Sequence, residues 1–205
     1  MYMFTHELKV LKGFPNPYAL DKVVELDTAT HDAEDVLNGM VGHKAPAAAG
    51  RLQLGLPLYT GITGVAPMPL FCWSGGAEFD VQVDADAIFG VPGATNSTGS
   101  SSVDAAAVTG PVLLRPKIGT YVATGAFELA STEFAGTPTT GQLLTSPTTG
   151  GDTGNLVVAT NGTIIPIGTI CCGVVSDGVR NSTHVGGPQV LHFWPCYTII
   201  QRVTT

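Results

Sequence analysis

Charge is what this sequence has least of. Only 12% of its 205 residues are Asp, Glu, Lys or Arg, against roughly a quarter in an ordinary soluble domain. So sparse a supply excludes coiled coils and helical bundles, whose outer faces need charge, and charged disordered tails. Long apolar runs are missing as well. The strongest, Thr163 to Val175, is broken by Pro166, Gly168 and Gly173, whereas a membrane-crossing helix takes about 20 unbroken apolar residues. Basic residues are outnumbered, nine against sixteen acidic, for a formal net charge of −7. Proteins that grip a phosphate backbone carry the opposite excess, so neither nucleic acid nor membrane is expected as a partner. The four cysteines are too few for a disulfide scaffold and fall in no zinc spacing, so they read as free thiols. No basic stretch followed by an apolar one opens the chain; no secretory leader is expected, and synthesis in a cytoplasm is.

What is abundant is punctuation and β-branching. The chain has 26 glycines, 14 prolines and 25 threonines. Glycine and proline divide it into short segments, and threonine suits a pleated, half-exposed surface without adding charge. Strands are expected at Val23–Leu26, Glu78–Val83, Val112–Leu114, Tyr121–Ala123, Ala126–Leu129, Gln142–Leu144, Leu156–Ala159, Ile170–Val175 and Gln189–Ile200. Shorter apolar runs at 39–42, 51–56 and 69–73 fit the same grammar. One short helix could form across Asp32–Asn38, stopped by Gly39. The expected fold is therefore all-β, a barrel or sandwich of short strands with Gly, Pro and Thr-rich turns, and no repeat of 20 to 50 residues suggests a solenoid or propeller.

Two segments stand apart. Residues 1–21 hold Phe4, Leu8, Val10, Leu11 and Phe14 but also Gly13, Pro15 and Pro17, which prevent an amphipathic helix. They read as an extended N-terminal arm lying on a neighbouring subunit; the alternative is a first strand of the protein's own sheet. Residues 22–205 read as the β domain. A Ser- and Gly-rich stretch near 93–105, without a side chain able to anchor a core, reads as an exposed loop where a sub-boundary could fall.

No catalytic or metal constellation survives inspection. Ser176, Asp177, His184 and His192 contain the residue types of a hydrolase triad, but Val174 stands where a nucleophile elbow needs glycine, and Ser176-Asp177-Gly178 reads as a strand running into a turn. His31, Asp32, Glu34 and Asp35 read as the acidic first turn of the short helix rather than metal ligands. Asp80, Asp84 and Asp86 read as solvated edge carboxylates. Cys171 and Cys172, adjacent on a strand, face opposite ways and cannot chelate one ion. Gly150-Gly151-Asp152-Thr153-Gly154 lacks the lysine of a phosphate loop. The expectation is a protein with no enzymatic activity, no metal and no cofactor. Phe193 and Trp194 must also point to opposite faces, so both sides of the last strand have to be covered, by a second sheet or by another subunit.

The order of several pieces resembles tailed-bacteriophage virion proteins of the capsid decoration, or cement, type. They are Gly39-Met40-Val41; Met68-Pro69-Leu70-Phe71 leading to Phe79-Asp80-Val81; Gly125-Ala126-Phe127-Glu128-Leu129 with Ser131-Thr132-Glu133-Phe134; Gly141-Gln142-Leu143-Leu144-Thr145; Gly173 to Val179; and Leu191-His192-Phe193-Trp194-Pro195. The resemblance implies a β-rich, non-enzymatic protein on the capsid surface of a virion, with the major capsid protein and copies of itself, as a homotrimer or other homo-oligomer, as partners. The candidate partner-binding residues are Phe4, Leu8, Val10, Leu11, Phe14, Phe193 and Trp194. Competing classes are a tail or baseplate component and a glycan-acting enzyme. The latter would need paired carboxylates across a groove, for which Glu128 and Glu133 are the nearest candidates.

Overall fold

The structure is a computed structural model that describes residues 8–12, 21–27, 29–31, 36–59, 66–72, 117–121, 127–160, 162, 164–181 and 188–201. The described chain is all-β. Its strands are β1 (Leu8–Lys12), β2 (Asp21–Glu25), β3 (Val41–Ala45), β4 (Arg51–Leu54), β5 (Leu70–Cys72), β6 (Lys117–Tyr121), β7 (Glu128–Ser131), β8 (Leu143–Thr145), β9 (Val157–Val158), β10 (Ile170–Asn181) and β11 (Gln189–Ile199). The one helical piece among these residues is a 3-10 turn at Pro46–Ala48. Of the helix expected across 32–38, residues 32–35 lie outside the described residues, and Val36 to Asn38 are not helical. The strands expected at Glu78–Val83 and Val112–Leu114, and the 93–105 loop, also lie outside them.

Two antiparallel sheets face each other as a sandwich. One has six strands in the order β1-β7-β11-β10-β8-β9, the other five in the order β2-β6-β5-β3-β4. The segment Leu8–Lys12, expected in an arm across a neighbour, instead pairs along β7, with Leu8 opposite Ser131 and Val10 opposite Leu129. Leu8 is half-buried against the core between the sheets. The strand alternative therefore describes these five residues; β2 begins at Asp21 and belongs to the other sheet.

The longest pairing is the β10–β11 hairpin. Ser176-Asp177-Gly178, expected as a turn, stays within β10: Val175 lies opposite Phe193 and Gly178 opposite His192, so Ser176 and Asp177 form a bulge. Gly178 takes φ +71 there, a conformation glycine adopts without a Cβ penalty. The local turn signal is overridden because the chain on either side is held to β11 by a continuing ladder.

Each sheet is bent until its far sides approach. Leu26, one residue past β2, bridges in parallel to Leu52 in the opposite edge strand β4. The Asp27 N–H donates to the Leu52 carbonyl at 2.9 Å, and Gln53 Nε2 donates to Asp27 Oδ2 at 2.6 Å. Arg51 and Glu25 face one another at 3.9 Å on the same seam. In the six-stranded sheet Phe134, just past β7, bridges in parallel to Leu156, just before β9. Neither seam is a full ladder, and neither sheet is a closed barrel.

The bending produces two cores. Between the sheets lie Val41 and Phe71 from the five-stranded sheet and Leu129, Leu144, Val175, Leu191 and Phe193 from the six-stranded one. The Phe71 and Phe193 rings lie 5.6 Å apart between centroids, within the range of favourable aromatic pairs. The second core, on the other face of the five-stranded sheet, holds Val24, Leu26, Leu52, Leu54, Leu70 and Cys72, capped by Val36 and Met40. β5 thus sends Phe71 one way and Leu70 and Cys72 the other. A strand buried on both faces reads as a continuous apolar run, which is why Leu70-Phe71-Cys72 shows no polar alternation.

Candidate interaction surface

The partner-binding residues named from sequence are not brought together. Phe4 and Phe14 lie outside the described residues. Leu8, Val10 and Leu11 belong to β1. Phe193 has no exposed surface at all, being part of the core between the sheets, and this removes it as a contact residue. Trp194, its neighbour, is 38% exposed on the opposite face of β11. The opposed orientation expected for these two aromatics holds, and it is Trp194 alone that presents a surface.

The titratable groups near the hairpin are engaged with one another. Ser176 Oγ donates to Glu128 Oε1, and Glu128 is buried. Asp177 pairs with Arg180. His192 stands across the ladder from Gly178 on one side and Ala130 on the other, while His184 lies outside the described residues. Glu133 accepts from the Thr132 hydroxyl at 2.9 Å. Among the described residues the Ser176 hydroxyl is thus hydrogen-bonded to a carboxylate and not to an imidazole.

His31 Nε2 accepts the Leu54 N–H at 3.1 Å, which occupies the lone pair a metal would use; Asp32, Glu34 and Asp35 lie outside the described residues, as do Asp80, Asp84 and Asp86. Among the described residues no three His, Cys, Asp or Glu side chains gather as metal ligands would. The four cysteines are unpaired thiols. Burial pushes Cys72 up to about 12 and Cys171 up to about 11, and it raises Cys172 and Cys196 too. Thiols held so far above neutrality are poor nucleophiles.

A different surface emerges at the end of the sandwich where β10 begins and β11 finishes. The Tyr59 N–H donates to the Gly168 carbonyl and the Gly168 N–H to the Ile200 carbonyl, both at 2.7 Å. Gly168, at φ +85, lets the two backbones approach; a Cβ there would collide with the Tyr59 carbonyl. Tyr197 Oη donates to the Ala66 carbonyl at 3.2 Å, and burial, then the neighbouring Tyr59, raise its phenol above the ordinary value. A groove of about 330 Å³ opens here, with Leu58, Thr160, Pro166 and Ile170 in its walls. Leu58 in its wall is 56% exposed, and of the residues nearby in sequence Ile164 is 70% exposed, Ile167 60% and Met68 46%.

Among the described residues this end carries no Asp, Glu, Lys or Arg. Residues 52–77, 134–151, 153–176 and 181–201 contain no Asp, Glu, Lys or Arg, and the described residues of the end all come from these runs. Sequence reasoning missed the surface because it singled out none of Leu58, Ile164 and Ile167 and used Met68 only in the resemblance. The long uncharged runs were the available signal.

Among the described residues no helix is long and apolar enough to cross a membrane. No protein-family model, curated protein or solved structure matches the chain.

Proposed function

We propose that the protein is a non-enzymatic structural protein that binds and stabilises the capsid of a tailed phage, as a decoration or cement protein. The observation that carries the binding reading is the exposure of Leu58, Met68, Ile164 and Ile167, large apolar side chains of the kind a partner covers. The resemblance in the order of its sequence pieces supports the capsid as that partner. On this reading the protein, made in the host cytoplasm, contacts the major capsid protein on the virion surface and sits there as a trimer around local threefold points, with no cofactor.

The test is to mix purified protein with empty expanded shells and sediment them. Co-sedimentation that survives high salt is expected, since apolar contacts are not screened. Failure to bind, or release at moderate salt, overturns the proposal. Copy number on purified particles separates a decoration protein, present in hundreds, from a tail or baseplate component, present in a handful.

A further inference from the structure

We draw no further inference here: the strongest candidate, the groove of about 330 Å³ beside β8 and β9, whose walls include the buried Ser146 with no hydrogen-bond partner for its hydroxyl among the described residues, belongs to the surface already proposed as the capsid contact, and nothing in the structure shows what else would fill it.

Discussion

At the scale of single residues, the buried polar groups set how the protein answers substitution and acid. Ser176→Ala removes the donor to the buried Glu128 carboxylate, and a loss of about 1–3 kcal/mol is expected in urea unfolding. His43 is buried with Nδ1 at 2.8 Å from the Gly55 carbonyl. Burial holds its imidazole below the ordinary 6.5, with a smaller push from His31, against the pull of the Gly55 and Gln53 carbonyls. Asp27 lies below 3.8: burial would raise it, but hydrogen bonds from Gln53, Ala29 and Thr30 and the charge of Arg51 outweigh that. Both folded values are depressed, so the unfolded chain binds more protons and stability falls as pH falls. The loss should begin below about pH 6.5 through His43 and steepen below about 3.8 through Asp27. Urea midpoints across pH 7 to 3 check it, and His43→Asn should flatten the upper step. The sequence read correctly that Phe193 and Trp194 part company, because strand alternation alone fixes that. Which of them would be covered depended on Phe71, distant in sequence, and was not legible.

At the scale of elements, β1 is the clearest case. Removing residues 1–12 deletes an edge strand and the half-buried Leu8, so the isolated subunit should melt roughly 5 °C lower, at about 2–4 °C per kcal/mol for a chain of this size. A melting temperature unchanged by the truncation would return the segment to the role of an arm. Strands with alternating or β-branched runs, such as Ile170–Val175 and Gln189–Ile200, were legible in place and type. The bulge was not: Ser-Asp-Gly is turn chemistry on local grounds, and only the continuing ladder to β11 keeps it in a strand. β6, Lys117–Tyr121, was missed except for its last residue, since Lys-Ile-Gly-Thr-Tyr has too few apolar positions to announce itself without its partners β2 and β5.

At the scale of the molecule, the core between the sheets joins two halves that each have their own seam. Phe71 belongs to the five-stranded sheet yet packs on Phe193 of the other. Phe71→Ala should therefore cost about 3–5 kcal/mol and weaken amide-exchange protection in β3 and β10 together. Leu54→Ala, confined to the second core, should cost about 2–5 kcal/mol and act first on the five-stranded sheet. Exchange measured by mass spectrometry distinguishes the two patterns. The all-β class was legible from Gly, Pro and Thr content. That it would be two bent sheets, each drawn together by a single parallel bridge, was not, because Leu26 with Leu52 and Phe134 with Leu156 are contacts between segments the sequence treats as unrelated.

Those seams bear on how such a weakly charged β protein stays out of fibrils. Runaway polymerisation needs a straight strand whose hydrogen-bonding side faces solvent. β4 has its outer side engaged by Leu26 and Asp27, β9 is only two residues long beside the Phe134 crossing, and β1 carries the exposed Lys9. Growth by adding strand to strand is thereby hindered at β4, β9 and β1.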